Sequence, residues 1–375
     1  MTGTADLVDC FSDLEDPRRR TSEVEHPLVN ILVIAISAVI GGADDFVMIA
    51  QVGRQRKDWF EKFLDLSNGI PSHDTFNRVL GALNPKTFEE CLLSWITALH
   101  EITEGQVVAI DVKTLRRSYD RGSNKAAIHM VSAWASENHI CLGQTVTDAK
   151  SNEITAIPKL LELIAIKGCL VTIDAMGCQT AIAEKIRKQD AHYVLAVKQN
   201  QPTLYKGIEQ FFEDHLSDEF QRHQARKHET NERSHRRDER RTYYVCPIPE
   251  KLADAARWKD LKSIGIAITD VDRDGKDHVE VRYYILSKFI SAKRFANAVR
   301  GHWSIENRLH WQLDVSFGED QSRIRKGHGA TNVSILRRTA LSLLKNETSK
   351  KLGIKNKRIT TALSEDYMLK VLLSQ

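Results

Sequence analysis

Two apolar runs that each end in an aspartate decide the fold, and they read VVAID at residues 107–111 and CLVTID at residues 169–174. Uninterrupted apolar runs of this length are typical of strands buried on both faces of a sheet that helices cover. Open α/β sheets expose their functional groups at such strand ends. We therefore expect Asp111 and Asp174 to lie at the functional edge of a sheet.

The segments around these runs alternate as an α/β fold requires. Further strands are predicted at residues 128–135, 140–147 and 192–198, and helices at residues 155–166, 179–188 and 204–215. The order is then three strands, helix, strand, helix, strand, helix. It predicts the α/β class, with a sheet flanked by helices.

The rest of the chain departs from this alternation. Residues 1–100 read as helical, and the sequence leaves open whether they bind DNA or support packing. Residues 221–241 are dense in charge, which is typical of a solvated linker. Strand-like pieces follow, and we expect a β insertion over about 221–290. Its strands are predicted at residues 241–246, 263–269 and 278–286, with a hairpin turn at 272–275.

Helices are predicted again after residue 291, through about residue 314 and at residues 330–346. We expect residues 351–375 to form a basic C-terminal tail. Residues 321–375 hold 12 Lys and Arg against 3 Asp and Glu, although the whole chain carries only +4. This imbalance is compatible with a polyanionic partner, most often nucleic acid, and equally with a solvated helical surface.

Composition excludes several classes of protein. The 375 residues are 42% hydrophobic and 28% charged, as in a globular protein with a real core. The six cysteines include no CxxC pair, which argues against a zinc ribbon or a disulfide framework and fits a reducing cytoplasm. The longest apolar stretch, residues 28–40, is shorter than the ~20 residues that span a bilayer, so we expect no membrane association.

A third acidic candidate lies in HWSIENRLHWQLD at residues 302–314. His302, Glu306, His310 and Asp314 recur every four residues and form one polar stripe on a helix. The stripe is also compatible with an exposed face held by contacts along the helix. A zinc site from the two histidines and Glu306 is discounted, because the spacing is not HExxH and aspartate-ended strands favour a hard, oxygen-seeking ion.

Two converging carboxylates at a sheet edge need a partner, and a divalent cation is an efficient one. The alternative is that Asp111 and Asp174 each cap the turn or helix that follows. Core packing is the expected role of Trp303 and Trp311, in preference to stacking on bases.

Six segments carry a resemblance to a known family. They are DVKTLRRS (111–118), HMVSA (129–133), KSNEITAIP (150–158), TIDAMGCQ (172–179), YVLAVKQNQ (193–201) and the block at 302–320. In these segments the chain resembles the H-repeat-associated (Rhs-linked) transposases, which are DDE transposases of bacterial insertion sequences. The resemblance spans roughly residues 5–345.

The resemblance implies an RNase H-like mixed sheet flanked by helices, with a β insertion and a helical N-terminal domain. It implies a metal-binding catalytic triad of Asp111, Asp174 and Glu306, with two Mg²⁺ ions, or Mn²⁺ in their place, and no nucleotide cofactor. The implied division is a helical domain at 1–100, a catalytic domain at 101–350 and the tail at 351–375.

The implied function is metal-dependent DNA strand cleavage and strand transfer at insertion-sequence ends. The implied partner is double-stranded DNA, bound by a homodimer in the cytoplasm at the nucleoid. Two departures from the pattern keep alternatives open: Val112 replaces the usual glycine, and Val299, His302 and Leu313 replace the Tyr, Arg and Lys of a related signature. The alternatives are a decayed or domesticated DNA-binding derivative, and an RNase H-like nuclease without strand transfer.

DNA contacts are predicted from basic and polar side chains that flank the triad, since phosphates attract such groups. The predicted contacts are Lys113, Arg116, Arg117, Lys198, Asn200, Gln201, His302, Arg323, Arg325 and Lys326.

Overall fold

The computed structural model describes residues 8–18, 24–99, 105–119, 127–147, 153–220, 223–234, 237–273 and 276–373. Its strands are β1 Val107–Leu115, β2 Ile128–Ala135, β3 Ile140–Thr147, β4 Leu170–Ile173, β5 His192–Val197, β6 Arg226–Ser234, β7 Arg237–Pro247, β8 Ser263–Arg273 and β9 Lys276–Leu286. The helices before the sheet are α1 Leu28–Ile40, α2 Phe46–Gln55, α3 Lys57–Phe60, α4 His73–Ala82 and α5 Pro85–Leu99, preceded by a short helix at residues 8–12.

Helices within and after the sheet complete the fold. They are α6 Glu153–Leu163, α7 Thr180–Lys188, α8 Pro202–Leu216, α9 Ala292–Ile305, α10 Trp311–Phe317, α11 Gly329–Asn346, α12 Ile354–Leu363 and α13 Glu365–Leu373. A π-helical turn, Glu306–His310, joins α9 to α10. No helix in the described part of the chain is long and apolar enough to cross a bilayer.

One sheet organises the molecule, with strand order β3-β2-β1-β4-β5-β9-β8-β7-β6. The strands β3, β2 and β1 are mutually antiparallel, whereas β1, β4 and β5 run parallel. Parallel strands require crossover helices, and α6 and α7 provide them. The first five strands have the order of an RNase H-like sheet, so the predicted fold class is confirmed.

The β insertion extends this same sheet, because β9 pairs antiparallel with β5 from Val194↔Leu286 to Val197↔Tyr283. Its strands are longer than predicted. The interpretation of residues 221–241 as a solvated linker is wrong, because they include β6 and the start of β7, which pair antiparallel. Cross-strand ion pairs such as Arg240–Glu229 hold this ribbon, so it lacks the apolar alternation that marks a strand. Residues 274 and 275 of the predicted turn lie outside the described residues.

The N-terminal helices share one hydrophobic core with the sheet and with α11. Buried apolar side chains from α1, β1 and α13 belong to a single cluster. At the junction Asn332 of α11 donates from Nδ2 to the carbonyl oxygens of Leu80, at 2.8 Å, and Leu83, at 2.9 Å. The division at residues 100 and 350 stays a prediction.

Residues 351–375, expected as a basic tail, contain α12 and α13 packed against α1. Four of the basic side chains behind the C-terminal charge imbalance are buried: Arg337, Arg338, Lys357 and Arg358. Three of them have carboxylate partners, Glu319, Glu347 and Asp44. The positive charge available to a polyanion is therefore smaller than the sequence count suggests.

Candidate active site

The strand register brings Asp111 and Asp174 together. Pairing between β1 and the parallel strand β4 ends at Ile110↔Ile173, and the next residue on each strand is an aspartate. Asp174 follows the end of β4, as predicted. Asp111 does not end its strand, because β1 continues to Leu115 against β2, with Asp111 opposite Ser132. The two carboxylates thus lie side by side where the parallel pairing stops.

Glu306 reaches the same place from the other end of the chain. It opens the π-helical turn after α9 and is exposed. A cavity of about 220 Å³ is lined by Asp111, Asp174 and Glu306 together with His302 and Lys198. Extra residues inserted into a helix in this way re-aim side chains and are frequent at functional sites. The helix was predicted to run unbroken to Asp314, and the π turn was not foreseen.

The carboxylates of the cavity act on one another. Burial, together with the negative charges of Asp174 and Glu306, raises the pKa of Asp111 to about 6, against a hydrogen bond from the Val112 backbone that lowers it. Asp174 accepts a hydrogen bond of 3.2 Å from the Gly177 amide, which fixes the turn behind it. Charged Asp111 therefore costs the folded chain free energy that a bound cation would offset.

We expect Asp111→Asn to stabilise the metal-free protein at neutral pH. A carboxyl whose pKa is raised from 3.8 to about 6 binds more protons folded than unfolded between those values, so stability falls as pH rises through that window. The variant removes this penalty. It should raise the free energy of unfolding by about 1–3 kcal/mol at pH 7.5 and leave it unchanged near pH 3.5.

Urea unfolding in chelator at the two pH values measures this difference. The exposed Glu213 of α8 offers a matched control, because Glu213→Gln should change stability at neither pH. A destabilised Asp111→Asn protein at pH 7.5 would show that the carboxylate is not under repulsion.

His310 is buried directly behind Asp111. Its Nδ1 lies 3.5 Å from Asp111 Oδ2, and its Nε2 is buried with no hydrogen-bond partner among the described residues. Burial, together with the positive charges of Arg338 and Lys113, lowers the pKa of His310 to about 3. A neutral imidazole keeps one N–H, which at Nδ1 would point to Asp111.

Comparison with known proteins identifies the family of the chain. The family model described as "Transposase DDE domain" matches residues 102–343, and the model described as "DDE_Tnp_1-associated" matches residues 8–96. The chain belongs to the DDE transposase family. The family generally uses divalent metals.

Individual relatives match over almost the whole chain. The "Putative transposase YncI" of Escherichia coli O157:H7 is 43% identical over 98% of this chain and 94% of its own length. The "H repeat-associated putative transposase YhhI" of Escherichia coli K12 is 41% identical over 94% of each chain. The predicted resemblance is thereby confirmed.

A solved piggyBac transposase synaptic complex with hairpin DNA also aligns, with 11% identity over 98% of this chain and 81% of its own. Its TM-score of 0.42 is too low to establish a shared fold, so the fold assignment stands on the strand order.

The site of this DDE transposase has hard carboxylate donors open to one cavity, which suits Mg²⁺ or Mn²⁺ in chemistry. The donors are not preassembled: within the described ranges, no three His, Cys, Asp or Glu side chains are arranged to hold a metal ion.

Lys113 does not lie where a DNA contact is expected. Its side chain is 8% exposed, and its Nζ contacts Asp314, Glu319 at 2.9 Å and Asp320 at 3.7 Å. Three carboxylates already surround the charge of Lys113, which argues against a phosphate contact, and the contact itself stays a prediction. Glu319 in turn accepts from Arg338 Nη1 at 3.0 Å.

Strand and helix geometry explains this arrangement. Lys113 and Asp111 share one face of β1, about 6.6 Å apart along the strand. His310 and Asp314 are one turn apart on the facing helix, a rise of about 6 Å. The two spacings match, so one polar stripe of the helix contacts both residues of β1. His310 lies against Asp111, and Asp314 lies against Lys113. His302 and Glu306 continue the stripe into the cavity.

Four of the other predicted DNA contacts lie at the cavity or beside it. Lys198 is exposed and lines the cavity. Asn200 and Gln201 donate from their amides to the carbonyl oxygens of Ala175, at 2.6 Å, and Cys178, at 3.0 Å, and so brace the turn that follows Asp174. Nδ1 of His302 lies 3.3 Å from Thr172 Oγ1.

Three of the remaining predicted contacts lie at the end of β1. Arg116 is exposed and lies 3.3 Å from Asp320, Arg117 is exposed beside it, and Arg325 donates from Nε to the Arg117 carbonyl oxygen at 3.1 Å. The other two are exposed elsewhere: Arg323 lines a separate cavity beside the N-terminal helices, and the Lys326 backbone lies near Gly81.

One residue of the site escaped the sequence analysis, and two tryptophans beside the polar stripe were placed wrongly. Arg282 of β9 lines the cavity, and its guanidinium lies 3.9 Å from the ring centroid of Trp303. Trp303 and Trp311 are 43% and 53% exposed, so their predicted core packing is wrong. Each tryptophan follows a residue of the polar stripe, His302 or His310, by one position. Its side chain therefore points about 100° around the helix from the side that faces the sheet. Nothing in the sequence indicates that an arginine of the β insertion lines the cavity.

Proposed function

We propose that this chain is an active transposase that cuts and joins DNA strands at the ends of its own element. The observation that carries the proposal is the register of β1 and β4, which sets Asp111 beside Asp174, with Glu306 lining the same cavity. In this proposal the three carboxylates hold two Mg²⁺ ions, which Mn²⁺ can replace.

The residues divide the work between them. When bound, Mg²⁺ would lower the pKa of the attacking water or 3′-OH and would neutralise charge on the leaving oxygen. Asp111, Asp174 and Glu306 act as ligands, and their mutual repulsion raises the affinity of the empty site for cations. Lys198 and Arg282, at the rim of the cavity, provide positive charge for the scissile phosphate.

The proposal is tested on a duplex that carries the terminal repeats of the element, incubated with Mg²⁺ and a target plasmid. We expect nicking at the repeat end and covalent joining of the new 3′-OH to the target. Cleavage without joining would assign a nuclease instead. Binding with neither reaction would assign a decayed derivative. The proposal also includes a homodimer on DNA. Chemical crosslinking that recovers only the monomer when two element ends are bound would contradict it.

DNA contact is expected from exposed cations and not from Lys113. Lys198→Met should weaken binding to all duplexes alike and reduce the slope of log K against log salt by about 1, because one phosphate contact is lost. Lys206→Met is the matched control, since Lys206 is an exposed lysine of α8 that does not line the cavity. It should leave the slope unchanged, as measured by fluorescence anisotropy. A reduced slope for Lys206→Met alone would contradict the assignment.

We expect His310 to act as a positioning residue for Asp111. His310→Ala removes the group 3.5 Å from Asp111 Oδ2 and should lower the cleavage rate by about 10–100-fold, as for other hydrogen-bond partners of metal ligands. An asparagine amide can replace Nδ1–H, whereas the longer glutamine reaches the Nε2 position. His310→Asn should therefore recover more activity than His310→Gln at equal thermal stability. Equal activities of the two variants would contradict this role.

A further inference from the structure

Two cysteines on different N-terminal helices lie in contact. Sγ of Cys10 and Sγ of Cys91 are 2.7 Å apart, although 81 residues separate them in the chain. Each thiol also approaches the other residue's carbonyl oxygen, Cys91 at 2.6 Å and Cys10 at 3.1 Å. The sulfurs are thus held face to face, less than 1 Å beyond the ~2.05 Å of a disulfide bond.

The helices that carry them are fixed against each other. Phe11, next to Cys10, is buried, and its ring centroid lies 6.3 Å from that of Phe88 on α5. Cys91 is almost one helical turn further along α5. Because the packing already sets the approach, formation of a bond between the sulfurs requires little movement of either helix.

Both sulfurs can be reached by a small oxidant. Cys10 and Cys91 are partly buried and line a cavity of about 580 Å³, together with Asp13 and Trp95. The other cysteines, Cys141, Cys169, Cys178 and Cys246, are buried. Access therefore distinguishes this pair from the rest of the thiols in the chain.

From this geometry we propose that Cys10 and Cys91 are a thiol modification site, at which a peroxide oxidant converts the pair to an intramolecular disulfide. This inference does not depend on the transposase activity. Oxidation would link the helix at residues 8–12 covalently to α5.

The electrostatics assign the two roles. The hydrogen bond from Cys91 lowers the pKa of Cys10, whereas the same contact raises the pKa of Cys91. Burial raises the pKa of Cys141 to about 11 and that of Cys246 to about 12. Cys10 is accordingly the thiolate nucleophile, and Cys91 is the resolving thiol.

Oxidation of the pair by hydrogen peroxide takes two steps. The Cys10 thiolate attacks one oxygen of hydrogen peroxide, an S–O bond forms, the O–O bond breaks and hydroxide leaves. Sγ of Cys91 then attacks Sγ of the sulfenic acid, the S–S bond forms, and water leaves with the thiol proton. Peroxide is reduced by two electrons, and a dithiol reductant returns the pair to the thiol state.

Peptide mapping of the full-length protein tests the proposal. Reduced wild-type protein is treated with a small excess of hydrogen peroxide, blocked with N-ethylmaleimide and digested without reduction. We expect one crosslinked peptide that joins Cys10 to Cys91, lost on addition of dithiothreitol, with Cys141, Cys178 and Cys246 still as thiols. Oxidation of Cys10 to sulfinic acid without crosslinking, or a crosslink between two chains, would overturn the proposal.

Variants separate the two roles. Cys91→Ser should stop at a Cys10 sulfenic acid that dimedone traps, whereas Cys10→Ser should leave Cys91 as a thiol that reacts about tenfold more slowly or less. Cys246→Ala is the matched control and should crosslink like wild type. Oxidised wild type should also unfold several degrees higher than reduced protein, and Cys91→Ser should show no such difference. Equal trapping of Cys91 and Cys10 would overturn the assignment.

Discussion

Asp111→Asn, Asp174→Asn and Glu306→Gln should each lower the rate of Mg²⁺-dependent cleavage by about 10³-fold while binding to the terminal-repeat duplex stays intact. The three side chains line one cavity, and loss of one ligand removes several kcal/mol of charge stabilisation in the transition state. Affinity persists because phosphate contacts come from other residues. Gel-based cleavage and fluorescence anisotropy measure the two properties on the same duplex.

Double variants sharpen this prediction. Residues that act as one metal site are non-additive, so Asp111→Asn combined with Glu306→Gln should cleave no more slowly than either single variant. Glu184→Gln, on the exposed face of α7, is the control and should cleave like wild type. Retention of substantial activity by Glu306→Gln would exclude it from the site.

Glu319→Ala should be the most destabilising single substitution of the polar interior, by about 3–5 kcal/mol, because it leaves buried charges unpaired. The side chain is 1% exposed and pairs with Lys113 at 2.9 Å and Arg338 at 3.0 Å. Ser334 donates to it at 2.8 Å. Urea unfolding of the metal-free protein at pH 7.5 measures the loss.

The pH dependence supplies an independent check. Burial alone would raise the pKa of Glu319, but Arg338 and Lys113 hold it lowered to about 2. The resulting stabilisation is present above the ordinary value near 4.5 and is lost as pH falls towards 2. The difference between wild type and Glu319→Ala should shrink over that window. Glu162→Ala removes an exposed pair with Lys185 and should leave stability unchanged.

The sequence predicts the central sheet well because its strands are continuous apolar runs. The runs at 107–111 and 169–174 differ from helices in period and length, and they lie in β1 and β4. The edge strand β6 could not be found in this way, because its partner-facing groups are charges and neither face is apolar. Hydrophobic periodicity indicates which residues are buried, whereas β6 and β7 are held together by backbone pairing and cross-strand ion pairs.

The amino-acid sequence predicts the candidate site only in part. The four-residue stripe from His302 to Asp314 predicts which helix face carries polar groups, but not that β1 receives it. Lys113 illustrates the limit, since its partners lie about 200 residues away and a lone lysine reads as a surface charge. The π turn at Glu306–His310 likewise arises from packing, not from a local signal.

The most direct test of the account is Mn²⁺ binding followed by electron paramagnetic resonance, with the terminal-repeat duplex present and absent. If Asp111, Asp174 and Glu306 together form the metal site, wild type binds Mn²⁺ and each single substitution weakens binding by at least about tenfold. Glu213→Gln should bind like wild type. Unchanged Mn²⁺ affinity in Glu306→Gln, with duplex bound, would contradict the proposal that the three carboxylates act as one site.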